Sequence, residues 1–185
     1  MQLRRSCGKL CGQGSSPLSS EFADIGRHAT ILFLLIQDTP MTDTAKHAIR
    51  FGDWTTLNAD AKTIRFEVFV EEQKVPAELE MDHMDALCVH AVAYDASGTP
   101  VGTGRLLPDG HIGRMAVRKL ARGTGVGGAL LQALMAQARA RGDLQVVLSA
   151  QTHAAPFYQR HGFTIDGDEF FEAGIAHINM QYTFR

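Results

Sequence analysis

Four glycines fall within six positions at Gly123-Thr124-Gly125-Val126-Gly127-Gly128, between an apolar run and the start of a helical pattern. Glycine has no Cβ, so main-chain N–H groups there can approach a ligand closely. The first N–H groups of a helix lack intrahelical partners and sit at the positive end of its dipole. A strand, a glycine turn and a helix in that order therefore make an anion site suited to phosphate. The spacing Gly123-x-Gly125-x-x-Gly128 also satisfies the GxGxxG of dinucleotide-binding turns, which makes a nicotinamide oxidoreductase a rival. That motif expects an early βαβ unit and an acid about 20 residues on, at the end of the next strand. The next strand here, Val146-Val147-Leu148-Ser149-Ala150-Gln151, offers no acid. No Gly-Lys-Ser/Thr is present in the turn, which excludes a nucleoside triphosphate P-loop.

The elements that must hold this turn can be read from periodicity. His47–Gly52 is a strand candidate, and Thr55–Gln73 carries Leu57, Ala61, Ile64, Val68 and Phe69 near helical spacing, closed by Pro76. Leu87–Tyr94 and Val101–Leu107 flank the turn Asp95-Ala96-Ser97-Gly98, as a hairpin would. His111–Val117 is a third run. A helix is expected from about Gly125 to Arg141, with Val126, Leu130, Leu134 and Ala138 on one face. Val146–Ala150 reads as a buried strand, Ala155–His161 as a brief helix, and two last strands flank Glu172-Ala173-Gly174. This order predicts an α/β (α+β) fold with a mixed, mainly antiparallel sheet and a crossover around the long helix.

Composition sets the limits. Of 185 residues, 45% are hydrophobic and 21% charged, an ordinary globular balance. The net charge of −2 leaves no electrostatic footprint for nucleic acid. Residues 1–40 lack sustained periodicity, and their apolar stretch Ala29–Ile36 is far short of the about 20 residues a membrane span needs. They are expected to be a disordered or non-native N-terminal extension, with residues 41–185 as the domain, since Met41 opens a segment that reads as a normal start. Cys7 and Cys11 have no metal-ligand spacing around them, and Cys88 lies in an alternating apolar run as a small core residue. Unpaired thiols and the absence of a membrane span suit a cytoplasmic protein, and no metal is expected.

At the glycine turn the chain resembles the GCN5-related N-acetyltransferase (GNAT) superfamily. Arg122-x-x-Gly125-x-Gly127 resembles that family's pyrophosphate signature. The segment Gln151-x-x-Ala154-x-x-Phe157-Tyr158-x-x-x-Gly162-Phe163 resembles its second element, with Gln151 where Asn is more common. Phe66–Gln73, Ile112-Gly113-Arg114, Ala150-Gln151 and Gly174–Ile178 are further similar to the ElaA-type branch. The resemblance implies helices on both faces of the sheet and a splayed parallel strand pair holding acetyl-CoA. It implies a cofactor site made of Met115, Ala116 and Val117 beside the pantetheine arm, with Arg122, Gly123, Thr124, Gly125, Val126, Gly127 and Gly128 at the pyrophosphate. Gln151, Phe157 and Tyr158 complete it.

The implied reaction is direct transfer of an acetyl group from acetyl-CoA to a primary amine of a small molecule. No Cys or Ser lies in a nucleophile–base motif that would support a covalent enzyme intermediate. Tyr158 is the expected acid toward the departing thiolate, since a phenol is neutral at pH 7. Many relatives carry a Glu on the strand corresponding to Gly110–Val117, and this sequence offers only His111 and Arg114 there. Glu72 and His177 are the expected bases, drawn from a wider set that includes Asp82, His90 and Glu169. Arg114 and His90 are the expected substrate contacts, although Arg114 could equally pair with Glu67, Glu71 or Asp82. The alternative is a CoA-sensing module that kept the cradle and lost turnover. The last strands could also pair two copies into a homodimer.

Overall fold

The structure, a computed structural model, describes residues 47–185. The extension expected at residues 1–40, with Cys7 and Cys11, lies outside the described residues.

Asp53 opens the first helix by accepting the Thr56 N–H at 2.9 Å, which satisfies one of the helix's unpaired donors. Strand β1 (Ala48–Gly52) precedes it, and α1 (Trp54–Arg65) follows. The expected single helix to Gln73 changes pitch at Phe66: residues Phe66–Glu72 form a π-helical stretch, closed by Gln73 N–H donating to Val68 O at 3.1 Å. A short helix α2 (Ala77–Glu80) and a 3₁₀ turn over His83–Leu87 lead into β2 (Val89–Tyr94). Then come β3 (Pro100–Leu106), β4 (Ile112–Val117), α3 (Val126–Arg141), β5 (Gln145–Gln151), α4 (Ala155–Arg160), β6 (Thr164–Glu172) and β7 (Ile175–Thr183).

Alternation along β2 explains why helices cover both faces of the first sheet, which runs β1-β2-β3-β4 with every pair antiparallel. Ala91 and Ala93 point to one side and pack with Val126, Leu130, Leu134 and Ala138 of α3. Val92 and Tyr94 point to the other and pack with Leu57, Ala61 and Ile64 of α1. Gly102 and Gly104 of β3 bring α3 close. A Cβ at Gly102 would lie 2.8 Å from Leu130, and one at Gly104 would lie 2.8 Å from Leu134 and 2.6 Å from Met115 Sδ. Cys88 is a buried free cysteine, as its place in the pattern implies.

The second sheet, β5-β7-β6, is antiparallel as well. Among the described residues it pairs with the first only where β4 starts, at one parallel bridge between His111 and Val147, with Val147 N–H donating to Gly110 O at 3.2 Å. Beyond that bridge β4 and β5 part. The register of β3 against β4 also breaks here: Thr103 faces Ala116 and Arg105 faces Gly113, so Gly104 opposes both Arg114 and Met115. This is a bulge, with Arg114 in the left-handed region at φ 51°.

Candidate active site

The glycine turn keeps its expected geometry. Gly123 and Gly125 have φ of 77° and 95°, and an added Cβ at either would meet no atom within 4 Å. Both positions need glycine for the backbone angle, and both face open space. Gly125 is the N-cap of α3, and neither a side-chain cap nor an acid in the first turn satisfies the helix's opening N–H groups. Those unmet donors fit a bound pyrophosphate. Phe157 lies against Gly127, whose added Cβ would sit 3.6 Å from the ring. Thr124 turns its hydroxyl back to Ala121 O at 2.7 Å, while Val126 is fully buried in the core, so only its main chain is available to a ligand. Gly128 faces the His161 ring at 3.1 Å from its would-be Cβ.

Where β4 and β5 splay, a cavity of about 470 Å³ opens. Met115 and Arg114 line it from β4, Ser149 and Gln151 from β5, Tyr158 from α4, and His177 from β7. Ala116 is buried against α1 and Val117 is half-buried beside the turn. Burial pushes the Tyr158 phenol up to about 12, so it remains a neutral O–H donor at neutral pH. His177 has Nδ1 at 2.9 Å from Ile175 O. A carbonyl only accepts, so Nδ1 carries the proton in the neutral ring and Nε2 is left as a proton acceptor. Ser149 donates to Asn179 Oδ1 at 2.8 Å and has no base beside it.

Two expected assignments need correction. Glu72 does not line the cavity: it forms a two-pronged ion pair with Arg122 at 2.7 and 2.6 Å, and that guanidinium holds its carboxyl below the usual range. A carboxylate so paired is a poor proton acceptor near neutral pH. The same contact, with Arg122 Nε on Val117 O at 3.0 Å, engages the Arg122 side chain beside the turn. His90 does not reach substrate either. It is 1% exposed, its ring centroid lies 4.8 Å from that of Trp54 with the planes tilted by 37°, its Nε2 lies 2.8 Å from Asp85 O, and burial pulls its pKa down.

Arg114 pairs within the fold, at 3.1 Å from Asp82, 3.2 Å from Glu80 O and 3.2 Å from Leu79 O, while still lining the cavity. It belongs to an ion cluster that the sequence reading missed. Arg65, fully buried on α1, donates to Glu80 and to Asp85 at 2.8 Å. Arg105 of β3 bridges Asp85 at 2.6 Å and Asp82 at 2.8 and 2.7 Å. Burial pushes the Glu80 carboxyl up against the pull of Arg65, and the Arg105 hydrogen bonds bring Asp82 down to about 2. A signal was present: Arg65 falls four residues after Ala61 on the apolar face of α1, and Arg105 sits inside an apolar strand. Gln73 and Glu172 were missed as lining residues too. Gln73 accepts from Gln151 at 2.8 Å, tying the π-helical stretch to β5. Among the described residues, no group of three His, Cys, Asp or Glu side chains is placed to hold a metal ion.

Residues 55–184 match the family model for the acetyltransferase (GNAT) domain. The N-acetyltransferase YjcF of Bacillus subtilis, described as uncharacterized, is 44% identical over 125 residues, which span 65% of this chain and 89% of YjcF. Among solved structures, an acyl-CoA N-acyltransferase from Pseudomonas aeruginosa is similar at 33% identity with a TM-score of 0.64. ElaA from Escherichia coli is similar at 27% identity, also with a TM-score of 0.64. Both comparisons cover 73% of this chain and 98% of the other. The splayed strands, the uncapped glycine turn and these relatives agree: the chain belongs to the GCN5-related N-acetyltransferase superfamily and resembles its ElaA-like branch.

Proposed function

We propose that this protein transfers an acetyl group from acetyl-CoA to a primary amine by direct attack. The observation that carries this is that two elements link cradle and cavity: Met115 of β4 lines the cavity while Val117, two residues on, lies 3.7 Å from a Cβ added at Gly127, and Tyr158 lines the cavity while Phe157 lies against Gly127. Bound acetyl-CoA would supply an acyl group activated as a thioester.

The residues of the chain then have separate tasks. Main-chain N–H groups of Gly123–Gly128 receive the pyrophosphate, and β4 from Met115 to Val117 offers its edge to the pantetheine amides. The bulge at Arg114 and Met115 interrupts the ladder, and a main-chain N–H there would be the donor to developing negative charge. Nε2 of His177 accepts the amine proton, directly or through one water. Tyr158 donates its proton to the departing sulfur. With Cys88 buried and Ser149 held by Asn179, no side chain in the gap is set up as a covalent nucleophile among the described residues.

The test is thiol release from acetyl-CoA over a panel of primary amines, with the acylated product identified by mass. Tyr158→Phe should lower kcat by about 100- to 10,000-fold while acetyl-CoA still binds. Tight binding with no product from any amine would favour the CoA-sensing alternative.

A further inference from the structure

Arg105 is the cation set deepest in the cavity wall, with its side chain 7% exposed. Both Nη atoms are engaged by Asp82 and Asp85, but Nε has no hydrogen-bond partner among the described residues. A buried donor on a charged group left unmet is costly, so this position calls for an acceptor. The residue across the ladder from Arg105 is Gly113. A Cβ there would lie 3.9 Å from that same Nε, and Gly113 lines the cavity. Glycine at 113 therefore puts no side chain over the unmet donor, which is itself buried at the cavity wall.

Arg114 adds a second donor on this wall. Its hydrogen bonds within the fold use Nε and Nη2, which leaves Nη1 for a ligand. Three arginines (65, 105 and 114) face three carboxylates (Glu80, Asp82 and Asp85) in the cluster, so the wall exerts no general pull on anions. Recognition here comes from directed donors. The same cavity also holds Glu172 and His177 from the β6–β7 hairpin, together with Asp109, which His111 already pairs at 3.1 Å. One cavity thus offers directed N–H donors on one wall and proton-accepting groups on another.

We propose that the acceptor is an amine that also carries a carboxylate, a compound of the amino-acid class. Its carboxylate is received by Arg105 Nε and Arg114 Nη1, and its amine lies on the side of Glu172 and His177. This rests on the acyl-transfer reading. Pairing carboxylate with guanidinium gives charge-assisted hydrogen bonds, which are stronger than neutral ones.

The experiment compares kcat/KM for amino acids and their decarboxylated amines: alanine with ethylamine, and phenylalanine with phenethylamine. Wild type is run beside Gly113→Val and Arg105→Lys. Comparing each variant's ratio with that of wild type cancels the different basicities of the paired amines. The wild type should favour the amino acid, and Gly113→Val should lower that ratio about tenfold, through KM. Valine suits a strand and removes no member of the ion cluster, so the test holds even where Arg105→Lys fails to fold. Turnover of both members with a ratio that Gly113→Val does not change overturns this proposal alone. No turnover of any amine overturns the acyl-transfer reading and this proposal with it.

Discussion

The two halves of the site are built on opposite plans. The proposed cradle is one continuous strand–turn–helix that offers main chain rather than side chains, with φ of 77° and 95° at Gly123 and Gly125 and open space where their side chains would be. The acceptor cavity is assembled from side chains of the π-helical stretch, β3, β4, β5, α4 and the β6–β7 hairpin. One of its walls is held by the ion cluster centred on Arg65 and Arg105. The first plan tolerates any change that adds no bulk at the turn. The second depends on buried partners contributed by segments far apart in sequence, so it should fail by loss of stability as much as by loss of contact.

The largest separation between the two plans should come from Arg65→Met. Removing one member of a buried pair leaves Glu80 and Asp85 short of a partner, a change that costs about 3–5 kcal/mol. Urea unfolding should show that loss, and the folded fraction should keep its acetyl-CoA affinity, because the cluster does not touch the turn. Equal loss of acetyl-CoA affinity in the folded fraction would mean that the two regions are one unit.

Acid should act on the same wall. The folded pKa of Asp82, about 2, is depressed below its ordinary 3.8, so its contribution is present above about 4. It is lost as pH falls from about 4 toward about 2. Wild type should therefore lose urea resistance across that window. Asp82→Asn should start less stable and lose less over the same range; a parallel loss would remove Asp82 from the account.

The smallest effect is expected where the two regions touch. Arg122 is held by Glu72, from the stretch that also supplies Phe69 and Gln73 to the cavity. Glu72→Gln should release Arg122 toward the pyrophosphate and raise acetyl-CoA affinity by a few-fold, on the order of an exposed ion pair's worth. Weaker binding would show instead that the pair holds the turn in shape.

The same contrast explains what could be read in advance. The turn, α3 and every strand are local features, set by glycine spacing, alternation and 3.6-residue periodicity, and they are present at the expected places. Tyr158 and His177 both line the cavity. Nothing local announced that α1 would change pitch at Phe66, since both pitches bury Ile64 and Val68. The assignment of Glu72 as a base and of His90 as a substrate contact failed for one reason: each had a partner more than a few residues away, Arg122 in one case and the Trp54–Asp85 environment in the other. Cys88 and the α3 core face needed no such partner and were legible. The separation of the sheets after the His111–Val147 bridge came from the family resemblance, not from periodicity, because β5 has the same alternation whether or not it pairs with β4.

The most direct test is a calorimetric titration of acetyl-CoA into wild type and into Gly125→Glu. The mutant places a carboxylate where the pyrophosphate should lie. It also strains a left-handed backbone by about 1–2 kcal/mol, so its fold is checked by circular dichroism. Binding by wild type that disappears in the folded mutant is the predicted result. A folded wild type that does not bind acetyl-CoA, or a mutant that binds it equally well, would contradict the assignment of this turn as the acetyl-CoA site.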